Sequence, residues 1–176
     1  MTGYLVLTAR CTVGMVFLIS TVTKLNGRAG FLAFLDWLRE LTVVPERWVV
    51  AVGVLMVTVE AVTLVLLPSP ATYPAGLALA AVTMAFFAGA AAYIVRRGIA
   101  VPCRCFGAAV ATPPMGRVEI ARNLLLTLVA TWAAAVAVLD PRPASPAPAI
   151  ILALLLGGAL GLVITHLDDL RQLFAP

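Results

Sequence analysis

The chain has 176 residues, 62% of them hydrophobic and 11% charged, with a formal net charge of +4. A soluble domain carries roughly a quarter charged residues, so this composition excludes a water-solvated globule. The positive excess lies beside apolar runs, where it reports orientation in a membrane and not nucleic-acid binding. No phosphate-binding loop, soluble repeat or low-complexity tract is present.

A helix needs about 20 apolar residues to cross a bilayer, and backbone groups in lipid must be satisfied within the segment. Five runs meet that need, at about residues 4–22, 48–67, 74–95, 119–139 and 149–167. The expected fold is an all-α integral membrane protein, with residues 1–176 forming a single transmembrane domain. The first run has no basic leader, holds Arg10 and Cys11, and lacks a small-x-small cleavage site. It reads as a retained helix and not as a signal peptide.

Between the first two spans, Phe31, Phe34, Leu35, Leu38 and Leu41 recur at three- and four-residue spacing, with Asp36, Arg39 and Glu40 on the other side. That pattern predicts an amphipathic helix over 30–42, lying in the membrane interface or packing within the loop. Trp37 and Trp48 are expected in the aromatic belt. Pro68-Ser69-Pro70-Ala71-Thr72 is short enough only for a tight turn. Arg96-Arg97-Gly98 ends the third span, and a loop of about twenty residues follows with Pro113 and Pro114. Asp140-Pro141-Arg142-Pro143 opens a rigid link to the fifth span. There Gly157, Gly158 and Gly161 form either a small-xxx-small face for a close helix contact or ordinary membrane-helix glycines.

Lys24, Arg28, Arg39, Arg47, Arg96, Arg97, Arg104, Arg117 and Arg122 fall on one side of this topology. Arg142, and Arg10 within the first span, fall on the other. The positive-inside rule then sets the N-terminus outside and the long loop at the cytoplasmic face.

Ionised residues within spans are costly and usually paired. With the ends of the first two spans level, Arg10 and Glu60 each lie roughly 10 Å from the same surface at 1.5 Å per residue, which predicts an Arg10–Glu60 ion pair. Arg10 snorkelling alone beside a protonated Glu60 is the alternative. Cys11, alone among apolar neighbours, reads first as a small core residue.

The long loop holds Pro102-Cys103-Arg104-Cys105-Phe106-Gly107. Thiolate is the reactive form of cysteine and nearby cations favour it; Arg104, Arg96 and Arg97 supply them. A disulfide across one residue closes a small ring, strained and readily reduced, which suits a redox pair. A zinc site with His166, and two inert loop thiols, are the alternatives.

These residues, with Arg117, with Arg122-Asn123 opening the next helix, and with Arg10, Lys24-Leu25 and Glu60, resemble the methylamine-utilisation MauE family, related to the wider DoxX-like membrane proteins. The Cys-x-Cys-Phe-Gly element carries most of the likeness. The resemblance implies an antiparallel bundle of four core transmembrane helices, here with a fifth, in a bacterial cytoplasmic (inner) membrane. It implies an accessory role beside a thioredoxin-like periplasmic partner in maturing a disulfide-containing enzyme. Carried over by residue, Cys103 and Cys105 would be the redox pair, with Arg104, Phe106 and Gly107 around them. Arg10, Lys24, Glu60, Arg117, Arg122 and Asn123 would be their membrane support. A periplasmic partner conflicts with the charge count, which sets the pair inside.

The leading expectation is a membrane thiol–disulfide redox protein, with quinone as a candidate cofactor, no resident metal, and lipid around it. A non-enzymatic assembly or cargo-binding subunit, with a membrane-protein partner or as a homo-oligomer, is the second expectation. A transporter is third, without a ladder of polar residues or an inverted repeat.

Overall fold

The computed structural model describes residues 2–99, 115–139 and 147–165. These form α1 (Thr2–Leu25), α2 (Gly27–Glu40), α3 (Glu46–Leu66), α4 (Tyr73–Arg96), α5 (Arg117–Leu139) and α6 (Ala147–Thr165). No strand occurs among the described residues. Helices α1, α3, α4 and α5 are long and apolar enough to cross a membrane, and α6 is an apolar helix of 19 residues. The chain is an all-α, multi-pass membrane protein, as its apolar runs predict, with the described helix ends moved by at most three residues.

The axial register of α1 and α3 departs from the expectation of level ends. The two helices run antiparallel: Arg10 donates to the Pro68 carbonyl, Leu67 lies against Gly14, and Glu60 meets Ser20, Thr21 and Lys24. The first turns of α3 extend past the end of α1 and stand beside α2 instead. A Cβ on Gly53 would sit 2.5 Å from Leu35 Cδ2 and 3.6 Å from Leu38 Cδ1. Helix α2 has folded beneath the end of α1, displacing α3 along the bundle.

That packing also corrects the placement of Trp37. Phe34, Leu35, Trp37 and Leu38 are all buried, and the Trp37 ring stacks on Phe34 at 5.9 Å between centroids. The apolar stripe therefore faces α1 and α3, while Asp36, Arg39 and Glu40 remain exposed. Trp48, in contrast, is 54% exposed. Gly27, at φ 70°, takes the left-handed conformation that the reversal from α1 to α2 requires. Arg39 joins Asp36 at 2.6 Å and Glu46 at 2.8 Å, tying α2 to the start of α3. Its guanidinium is held above the ordinary arginine range, by the hydrogen bond to Glu46 and then by that to Asp36.

Helices α4 and α5 pack along their length, and small residues are buried on both, Ala80, Ala88 and Ala91 on α4 and Ala130, Ala133 and Ala137 on α5. Helix α6 runs parallel to α1. Gly157 is set against Cys11 and Gly161 against Met15, where added Cβ atoms would fall 2.6 and 2.7 Å from theirs. The glycine face of the fifth helix is thus spent inside the chain.

Candidate functional site

The second half of α1 carries Ser20, Thr21 and Lys24 at spacings of one and four residues, which puts them on one side of the helix, toward α3. Lys24 Nζ lies 2.5 Å from Glu60 Oε1 and donates to Ser20 Oγ at 2.6 Å. Ser20 donates to the same carboxylate oxygen at 2.9 Å, and Thr21 reaches Oε2 at 3.4 Å. Lys24 is 4% and Glu60 0% exposed. The ammonium also stands over the Phe34 ring, 5.1 Å from its centroid.

A charge this deep persists when its partner and further hydrogen bonds replace the lost water, and this cluster supplies both. The partner of Glu60 is therefore Lys24, not Arg10. Taking the span ends as level misplaced Arg10 by ten residues along α1, roughly 15 Å at the helical rise. Arg10 instead caps the α3–α4 turn through Pro68 and lies 4.8 Å from the Tyr73 ring centroid.

A second polar group opens α5. Glu119, Arg122 and Asn123 are buried there, while Arg117 is exposed. Glu119 Oε2 accepts from the Gly116 backbone N–H at 2.6 Å, the back-reaching half of a capping box. Asn123 Nδ2 donates to the Glu119 carbonyl at 2.9 Å, and its Oδ1 accepts no hydrogen bond among the described residues. Asn123 borders a cavity of about 40 Å³ together with Trp37, Leu38, Met56, Ile94 and Met115. That shared border sets the start of α5, the end of α4 and α2 at one level of the bundle.

The end of α4 is fixed by backbone geometry. Gly98 has φ 67°, its N–H donates to the Val95 carbonyl at 3.1 Å, and the Ile99 N–H donates to Ile94 at 3.3 Å. This is a complete Schellman motif, with Ile99 returned against the core. Met115, just ahead of α5, is buried. The sequence bearing the cysteine pair therefore leaves and rejoins the bundle at the end that holds Lys24, Glu60, Arg122 and Asn123. Cys103, Arg104, Cys105, Phe106, Gly107 and His166 themselves lie outside the described residues.

Cys11 is a free, half-buried thiol at the opposite end, against α6. Among the described residues no three His, Cys, Asp or Glu side chains gather as a metal site would need. Ser20, Thr21 and Glu119 were not singled out from the sequence. The Ser20–Lys24 spacing, a polar pair four residues apart in an apolar helix, was the signal for the first two. Chemically the cluster is one compensated pair of charges with two hydroxyls hydrogen-bonded to its carboxylate.

A family model described as "Methylamine utilisation protein MauE" matches residues 2–136, from α1 almost to the end of α5 and including the cysteine segment. No curated protein matches the chain, and no solved structure does.

Proposed function

This chain belongs to the MauE family, and from that premise we propose that it is a thiol–disulfide exchange protein of the bacterial cytoplasmic membrane, working through Cys103 and Cys105 on a thioredoxin-fold partner. The observation that supports this reading is the packing of Ile99 and Met115, the described residues on either side of the cysteine segment in sequence, at the end of the bundle with the buried Lys24–Glu60 pair.

In the reducing direction, one cysteine thiolate attacks the partner's disulfide. A mixed disulfide forms and the partner's other sulfur leaves as thiolate. The neighbouring cysteine then attacks the mixed disulfide, closing Cys103–Cys105 and releasing the dithiol partner. Two electrons pass to the partner, and the two protons given up by the pair are taken up by the partner's sulfurs. The reverse sequence oxidises the partner. Lys24, Glu60, Arg122 and Asn123 act as the polar footing of that segment, and a quinone is the candidate for resetting the pair.

The assembly-subunit reading loses its main surface, because Gly157 and Gly161 already pack on α1. Cys103→Ser and Cys105→Ser, each in an otherwise unchanged chain, test the proposal. One variant should trap a mixed disulfide with a thioredoxin-fold protein on non-reducing gels, and both should abolish exchange. Full exchange activity in both variants refutes it. Labelling of spheroplasts with an impermeant maleimide, in a Cys11→Ala background with and without reduction, reports the side. Reduction-dependent labelling in intact spheroplasts sets the pair outside; labelling only after lysis sets it inside.

A further inference from the structure

At the end of the bundle away from Lys24 and Glu60, α1, α6 and the α3–α4 turn enclose a groove of about 920 Å³. That is near the upper end of small-molecule pockets, which run to about 1,000 Å³. Its lining is mostly apolar and, among the described residues, Arg10 is its one cationic side chain, whose guanidinium donates to Pro68 and lies over the Tyr73 ring. No carboxylate pairs with Arg10 among the described residues, in contrast to Lys24 at the other end. Leu18, Ile150 and Leu154 line the groove and are also 40–57% exposed, so it opens on the surface that faces lipid.

We propose that this groove binds an anionic phospholipid, with the phosphate at Arg10 and an acyl chain laid in the groove along the outer side of the packed α1 and α6. Charge complementarity selects the head: a half-buried guanidinium facing apolar walls favours an anion over a neutral quinone, which would accept a hydrogen bond and leave the charge uncompensated. Length suits the tail. From Arg10 to Leu18 the helix rises roughly 12 Å, most of the ~15 Å hydrocarbon depth of one leaflet. The opening among Leu18, Ile150 and Leu154 lets the chain enter sideways from the bilayer. This site stands apart from thiol exchange and does not depend on it.

The test is native mass spectrometry of the full chain in detergent, titrated with phosphatidylglycerol, with phosphatidylcholine of the same acyl chains, and with a short-chain ubiquinone. The expected result is a phosphatidylglycerol adduct formed at least about tenfold more tightly than phosphatidylcholine, with that preference lost in Arg10→Gln. A second variant works independently of the charge. A Cβ on Gly158 meets nothing within 4 Å and Gly158 lines the groove, so Gly158→Leu folds and fills it. Its adduct should weaken about tenfold while Arg10 is intact. Equal binding of the two phospholipids overturns the proposal, as does unchanged phosphatidylglycerol binding in Gly158→Leu. Displacement of phosphatidylglycerol by equimolar ubiquinone also overturns it and assigns the groove to a quinone.

Discussion

Replacing Lys24 and Glu60 by methionine, singly and together, probes the energy of the buried pair. Each single change leaves one charge with its partner gone in a fully enclosed site, a situation that costs about 3–5 kcal/mol. Independent effects would therefore sum to at least ~6 kcal/mol in the double variant. The double variant removes both charges and fills their volume with apolar side chains, which is close to neutral. Ser20 and Thr21 lose their acceptor, adding roughly 1–2 kcal/mol. The expected double variant is thus less damaged than either single one, with a coupling energy of at least ~3 kcal/mol. Unfolding by increasing SDS fraction in mixed micelles measures it, with Trp37 fluorescence as the local signal, since that ring stacks on the Phe34 under Lys24. Losses that add in the double variant to within ~0.5 kcal/mol refute the pairing. Arg10→Met with Glu60→Met is the control. At roughly 15 Å separation those two should be additive, whereas an Arg10–Glu60 pair would couple them.

Two further changes test the packing on either side of the site. Gly157→Leu would force a side chain against Cys11 Cβ, the Thr8 carbonyl and the Thr12 backbone nitrogen, all within 2.9 Å of its Cβ. Backbone cannot yield as a side chain can, so α6 should part from α1 and Cys11 should react with maleimide at least about tenfold faster, by the local opening of its cover; an unchanged rate refutes the contact. Glu119→Ala removes the acceptor for the Gly116 N–H and should cost about 1 kcal/mol of stability, with faster amide exchange at the start of α5; unaltered exchange there counts against the cap.

The spans were legible because length and apolarity alone define a membrane helix, and the pattern of Phe34, Leu35 and Leu38 announced α2. The partner of Glu60 was not legible, since hydropathy gives each helix a length but no height relative to its neighbour. The height of α3 follows from where α2 lodges, and that depends on Gly53 leaving room for Leu35 and Leu38. The burial of Trp37 was hidden for the same reason. An amphipathic stripe says which side is apolar and not whether lipid or protein covers it. The glycines of α6 could serve a partner or the chain itself, and only the parallel placement on α1 decides between them.

The pairing of Lys24 with Glu60 leaves the two ends of this bundle electrically separate. Between the level of Glu60 and that of Arg10, the hydroxyls of Thr12, Thr63, Thr83, Thr127, Thr131 and Thr165 each donate to a carbonyl four residues back in their own helix. Hydroxyls turned inward on their own backbone do not form a wire, and the side chains around them are hydrocarbon. Among the described residues, then, no chain of side-chain hydroxyls joins the two ends of the bundle. The buried Lys24–Glu60 pair and the Arg10 end can therefore be altered one at a time, without a path of side-chain hydrogen bonds among the described residues carrying the change from one to the other.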